Sequence, residues 1–230
     1  SVIPDVPCAN KKIGYKTVWF HCLFVRLTDQ RQNNRSPQQE QLVEVILHDV
    51  TERAEREFQT QFEAVHDPLT DLFNRRAGEK RLKKALRECA KHGQHLVLMM
   101  IDLDKFKPIN DTYGHEAGDK VLIEIANRFK KRFNNNTDLC IRLGGDEFII
   151  AQQINTYDKT ATHNQAIALI DELQQDISIS QTKKCAVGAS IGIAVAPNDG
   201  NELLELMFNA DQMLYQVKET GRGNVAFYDE

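Results

Sequence analysis

The sequence predicts an α+β fold in which an antiparallel sheet carries helices on one or both faces. Three observations point there. Segments of helical period alternate with short apolar runs from about Arg75 onward; the run Leu96 to Ile101 is apolar throughout and reads as a buried strand; and Gly144-Gly145 sits between two apolar arms, where a tight hairpin needs positive φ angles.

The elements follow in order. Residues 17–28 are rich in β-branched and aromatic side chains, and a polar Asn/Gln/Arg stretch separates them from Leu42 to Leu47, so two strands joined by a loop are expected. Residues 48–57, His-Asp-Val-Thr-Glu-Arg-Ala-Glu-Arg-Glu, resemble the exit of a PAS domain, where the last strand runs into a charged connecting helix. On that resemblance residues 1–50 are the C-terminal fragment of a PAS-like sensor, too short for a whole sensor and its ligand pocket. Residues 51–66 read as the connecting helix, with Val50, Ala54, Phe58, Phe62 and Val65 on one face. That stripe either packs on its own domain or forms a short dimerising stalk.

Residues 67–230 form the main domain. Its expected elements are a helix Arg75 to Lys91, the strand Leu96 to Ile101, a helix Glu116 to Phe133, and a hairpin with arms Leu139 to Leu143 and Glu147 to Gln152. A helix Lys159 to Asp176, a strand Cys185 to Val195, a helix Glu202 to Glu219 and a short strand Val225 to Tyr228 complete it.

The chain of 230 residues is 41% hydrophobic and 27% charged, the composition of a soluble globular protein, with room for one domain and part of a second. No apolar run approaches the roughly 20 residues of a membrane span, so no membrane contact is expected in this segment. A net charge of −4 argues against a nucleic-acid partner held by a general basic field. The five cysteines, Cys8, Cys22, Cys89, Cys140 and Cys185, are scattered without a Cys-x-x-Cys pair, which suits free thiols in the cytoplasm; membrane attachment of a longer protein stays open. His92 and His95, beside Gly93, read as loop residues rather than metal ligands.

Two segments carry chemistry. Ile101-Asp102-Leu103-Asp104-Lys105-Phe106-Lys107 follows a buried strand, and strand ends hold carboxylates rigidly at a crevice. Mg²⁺ prefers oxygen ligands shared between one or two carboxylates and substrate phosphates, which makes Asp102 the first candidate ligand. In Arg142-Leu143-Gly144-Gly145-Asp146-Glu147-Phe148 the turn adds two carboxylates beside a backbone bare of side chains, which a nucleotide can approach closely. Asp104 is read as holding its turn by local hydrogen bonds.

These segments, with Asn110-Asp111-Thr112-Tyr113-Gly114-His115-Glu116-Ala117-Gly118-Asp119, Asp67-Pro68-Leu69-Thr70-Asp71-Leu72-Phe73-Asn74-Arg75-Arg76, Ser190-Ile191-Gly192-Ile193-Ala194 and Ala210 to Lys218 followed by Gly221-Arg222, resemble the GGDEF family of diguanylate cyclases in order and spacing over about residues 66 to 228. The resemblance implies a palm-like fold with a ferredoxin-like core that binds one GTP per subunit, two subunits pairing so that each 3′-hydroxyl attacks the partner's α-phosphorus to give cyclic di-GMP. It implies Mg²⁺, or Mn²⁺ in its place, held by Asp102, the Leu103 carbonyl, Asp146 and Glu147. Glu147 is also the candidate to take the 3′-hydroxyl proton, and the sequence does not separate ligand from base. Gly144 and Gly145 admit the substrate. Phosphate oxygens would meet Lys107, Lys218, Arg222 and the backbone N–H groups around Lys105 and Phe106. Guanine presents donors at N1 and N2 and an acceptor at O6, which a carboxylate and an amide match; Asn110 and Asp119 stand at those positions, the alternative being that Asn110 opens a turn and Asp119 caps a helix.

Two departures from the family pattern stand out. An Arg-x-x-Asp product-inhibition site is here Asn135-Asn136-Thr137-Asp138, so Asp138 remains while Asn135 replaces the arginine fork, and weak or absent inhibition is expected. Gly78 replaces a bulky apolar residue, which is expected to loosen the first helix. The rival reading is a catalytically silent module that binds GTP or cyclic di-GMP, against which the intact Asp102, Lys107, Asn110, Asp119, Asp146 and Glu147 argue. The missing template surface excludes a polymerase.

Overall fold

The computed structural model describes residues 18–27 and 42–228; the expected strand ends at Thr17 and Thr28, the polar stretch between the first two strands, and Cys8 lie outside them. The chain divides into two compact units, Ser1–Phe62 and Glu63–Glu230.

In the first unit β1 (Phe20–Leu27) pairs antiparallel with β2 (Leu42–Asp49), Phe24 opposite Val45 and Leu23 opposite Ile46. The helix α1 (Thr51–Glu63) follows at once, because Asp49 Oδ1 accepts from the Thr51 N–H at 2.9 Å and Val50 O accepts the first helical bond, from Ala54. On the apolar stripe of α1, Phe58 is 69% exposed and its ring stacks on Phe62 at 6.3 Å.

The second unit runs β3 (Phe73–Asn74), α2 (Arg75–His92), β4 (His95–Asp104), α3 (Phe106–Tyr113), α4 (His115–Arg132), β5 (Leu139–Gly144), β6 (Glu147–Ile154), α5 (Lys159–Leu173), β7 (Ile177–Ser178), β8 (Lys184–Cys185), β9 (Gly188–Ala196), α6 (Leu203–Glu219) and β10 (Val225–Phe227). Its sheet has the order β10-β9-β4-β6-β5-β3. The four inner strands are antiparallel, as expected; β10 and β3 add a parallel pairing at each edge, β10 because the chain crosses over through α6 before pairing with β9.

Helices cover both faces of the sheet. Along β4 the side chains alternate: Val97, Met99, Ile101 and Leu103 join one buried cluster with Val121, Ile125 and Phe129 of α4 and Leu169 and Leu173 of α5, while Leu96, Leu98 and Met100 join another with Leu82 of α2 and Leu206 and Leu214 of α6. Each such side chain contributes roughly 1.5–3 kcal/mol on burial, and this strand is apolar and covered on both faces.

Three local differences have physical causes. The helix α3 lies where the sequence shows Pro108, Asn110 and Asp111; Pro108 is third in the helix, where an absent N–H costs nothing because first-turn donors have no intrahelical partner. The helix α5 stops at Leu173 because Arg128 of α4 donates to the carbonyls of Glu172, Leu173, Gln175 and Asp176, taking the orphan acceptors that a longer helix would use. Gly78 does not interrupt α2: it is buried, and a Cβ there would come within 2.5 Å of the Ile141 side chain, so the small residue is matched by a branched one on β5.

Candidate active site

The alternation along β4 decides where its acidic end points. Asp102 continues the Leu96, Leu98, Met100 face and so meets α6, whose Lys218 Nζ lies 2.7 Å from Asp102 Oδ2. Opposite Asp102 stand Glu147 of β6 on one side and Ser190 of β9 on the other. The Leu103 N–H donates to the Asp146 carbonyl at 3.2 Å, pinning this strand end to the Gly144-Gly145 turn.

That turn carries Gly144 at φ 145° and Gly145 at φ 53°, and a register shift between Arg142 and Gly144. Arg142 fixes it. Its Nε and Nη2 donate to the Gly145 carbonyl at 3.1 and 2.8 Å, and its Nη1 donates to Asp67 Oδ1 at 2.9 Å. Burial pushes the Asp67 carboxyl up, but hydrogen bonds from Thr70 and Arg142, with the arginine charge, outweigh it and hold the group below the usual carboxylate range. Arg142 and Asp67 both stood in the sequence motifs without a role; only the fold shows them touching across 75 residues.

Beside this turn Asp146 is half-buried and Glu147 exposed. Burial raises the Asp102 carboxyl above its ordinary range, the hydrogen bond and charge of Lys218 oppose the rise, and the negative charges of Asp146 and Glu147 add to it. The set is all oxygen donors with surplus negative charge, which suits a hard divalent cation. Among the described residues no three His, Cys, Asp or Glu side chains converge tightly enough to hold a metal by themselves, so substrate oxygens would have to complete its shell.

The position of Lys218 depends on a glycine. A Cβ on Gly192 of β9 would collide with the Ala210 carbonyl and the Leu214 N–H of α6, so helix and strand touch backbone to backbone. A second close approach joins α3 to α4: a Cβ on Gly118 would collide with Asn110 Oδ1, so the half-buried Asn110 lies beside the α4 turn that carries the exposed Asp119. Asp119 is inside α4, whose N-cap is Gly114, and Asn110 is inside α3; neither opens a turn nor caps a helix.

Lys105 leads into α3 at φ 56°, exposed, with Phe106 buried behind it and Lys107 exposed. Arg222 is exposed at φ 66° in the loop after α6. Lys105 and Arg222 both line a cleft of about 650 Å³ between α3, the start of β9 and this loop; Asn110, Asp119 and the hairpin acids are not among its lining residues. The expected local bonds of Asp104 are corrected: its partners are Ser190 and Gly223, 86 and 119 residues away.

At the Asn135–Asp138 turn, Asp138 Oδ2 accepts from the Asn135 N–H and Nδ2 at 3.3 and 3.2 Å, and Gln152 Nε2 donates to Oδ1 at 3.5 Å. Neutral donors engage both oxygens.

The sheet thus brings together an acidic strand end, an acidic glycine turn and the Lys218 ammonium of a neighbouring helix. The family model described as "Diguanylate cyclase, GGDEF domain" matches residues 64–224, and the chain belongs to that family. It is 38% identical over 166 residues to the bifunctional diguanylate cyclase/cyclic di-GMP phosphodiesterase MucR of Pseudomonas aeruginosa, covering 72% of this chain and 24% of MucR. It is 38% identical over 164 residues to the diguanylate cyclase TpbB of the same species, covering 70% of this chain and 37% of TpbB. Among solved structures, a sensory box/GGDEF family protein from Caulobacter crescentus superposes with a TM-score of 0.64 at 38% identity, over 68% of this chain and 99% of that one. The chain thus spans well under half the length of these two curated relatives. Among the described residues no helix is long and apolar enough to cross a membrane.

Proposed function

We propose that residues 67–230 are a diguanylate cyclase domain that joins two GTP into cyclic di-GMP and releases two pyrophosphates. Residues 1–50 are then the end of a PAS-like sensor and residues 51–66 the connector through which it controls the domain, in the cytoplasm. The observation that carries the reading is the strand end: Asp102 faces Glu147 across the sheet and lies 2.7 Å from Lys218.

Asn110 and Asp119 orient guanine, the amide meeting O6 and the carboxylate accepting from N1 and N2. The backbone N–H groups of Lys105 and Phe106, with Lys107, Lys218 and Arg222, hold the phosphates, and the bare Gly144-Gly145 backbone lets the nucleotide approach. Asp102, the Leu103 carbonyl, Asp146 and Glu147 are the donors that would hold Mg²⁺ or Mn²⁺, which when bound supplies positive charge to offset the negative charge building on the phosphate oxygens. Glu147, exposed on the hairpin, accepts the proton of the 3′-hydroxyl. That oxygen bonds to the α-phosphorus of the GTP on the facing subunit, and pyrophosphate departs with the electron pair of the broken P–O bond. Two such transfers close the ring, so a homodimer is the working unit.

The test is incubation of the chain with GTP and Mg²⁺, and separately Mn²⁺, over a range of protein concentrations, products being identified by mass. Cyclic di-GMP is expected at a rate rising faster than linearly with enzyme, and Glu147→Gln is expected to lower it about 10²–10⁴-fold. GTP binding without product at the highest concentration would replace the cyclase with a silent GTP-binding module.

A further inference from the structure

We propose that Asp104 is a positioning residue for the phosphate-binding half of the site, acting through the loop that carries Arg222. This deepens the cyclase reading and rests on it. Asp104 closes β4 and is only 9% exposed. Its Oδ1 accepts from Ser190 Oγ at 2.7 Å, and its Oδ2 accepts from the Gly223 N–H at 3.0 Å. Ser190 Oγ also accepts from that N–H at 3.3 Å, so strand, neighbouring strand and loop meet at one donor. Gly188 leaves room for the carboxylate: a Cβ there would stand 3.1 Å from Asp104 Oδ2.

The loop needs such a fastening. Gly221, Arg222 and Gly223 have φ values of 122°, 66° and 61°, and Arg222 is an L-residue in the left-handed region. Its own N–H is tied to the Val217 carbonyl at 3.0 Å, which fixes the loop to α6 before Gly223, while after Gly223 the Asn224 carbonyl accepts from the Ile191 N–H of β9 at 3.0 Å. The Gly223 N–H to Asp104 fixes the loop between these two points, directly after Arg222. Asp104 is also followed at once by Lys105, which turns into α3 at φ 56°. One buried carboxylate therefore sets the spacing between Lys105 and Arg222, the two cations that line the same cleft. A charge-assisted bond to backbone N–H is stronger than a neutral one, which suits this fastening.

The experiment compares binding of GTP and of GMP, with Mg²⁺, to the chain and to its Asp104→Asn, Ser190→Ala and Arg222→Ala forms and the Asp104→Asn/Arg222→Ala double form. Thermal unfolding checks that each is folded. Asp104→Asn is expected to weaken GTP about tenfold while GMP stays within about twofold, since GMP lacks the phosphates that the loop would hold. Ser190→Ala, which keeps the carboxylate, is expected to give the same split at smaller size, and it carries the test if Asp104→Asn fails to fold. The double form is expected to lose no more GTP affinity than Arg222→Ala alone. Equal losses for GTP and GMP, no loss, or losses that add in the double form would overturn the inference. An unmodified chain that binds no GTP would instead sink the cyclase reading.

Discussion

Two acidic corners of the second unit, the Gly144-Gly145 turn and the Asn135–Asp138 turn, begin from the same chemistry and end differently. At the first, Arg142 grips the Gly145 carbonyl with two nitrogens and Asp67 with a third, so the turn is tied to a segment 75 residues away. At the second, the Asp138 carboxylate is met by the amides of Asn135 and Gln152. A guanidinium spends its fork on fixed acceptors and still presents charge; an amide satisfies its neighbour and presents none. One arginine keeps the first turn aimed, while at the second the carboxylate is already engaged by amides.

Arg142→Ala frees the Gly145 carbonyl and leaves Asp67 without its cation, so cyclic di-GMP formation is expected to fall about 100-fold, the order found when reacting groups shift by about 1 Å, with a smaller change in GTP binding. Steady-state kinetics beside equilibrium GTP binding reads this; equal losses in both would place Arg142 in the binding site instead. The second corner is sharpened by Asn135→Arg, which restores a planar fork beside Asp138. Inhibition by cyclic di-GMP is expected to strengthen about tenfold over the unmodified chain, measured as the product concentration that halves the initial rate. An unmodified chain already as sensitive as the variant would refute the neutral-donor account.

The smallest expected effect is on stability. The Asp67 carboxyl is held below its ordinary range in the folded chain, so its contribution is present above the unfolded value and is lost as pH falls through the lower, folded one. Urea midpoints taken from pH 7 down to about pH 3 should therefore fall more steeply for the unmodified chain than for Asp67→Asn. Parallel curves would mean that the Arg142 contact does not stabilise the fold.

How much of this was legible in the sequence depended on the range of the contact. The Gly144-Gly145 turn and the apolar run Leu96 to Ile101 are local patterns, and glycine chemistry and hydrophobicity read them directly. The helix α3 was missed because Pro108 and Asn110-Asp111 signal a turn to any local reading, although Pro108 falls where a first helical turn tolerates it. The partners of Asp104 and Arg142, and the edge strand β3 of two residues, are set by chain segments far apart in sequence. Gly78 was misread for the same reason, since Ile141, which fills its space, lies on another element. Among the candidate residues, Asp102, Glu147 and Lys218 were named from strand position and motif, but that Lys218 lies on Asp102 required the alternation of β4 and the seat of α6 together.

That seat has a consequence for how the domain can drift in sequence. Where α6 crosses β9 at Gly192, no side chain stands between the two backbones, so neither partner can be padded out or trimmed. Substitutions elsewhere along α6 can erode the cohesion of the fold while the ammonium of Lys218 keeps its station, because its height above the sheet is fixed by main chain against main chain. The lysine is indexed to the strand like a tooth to a rack.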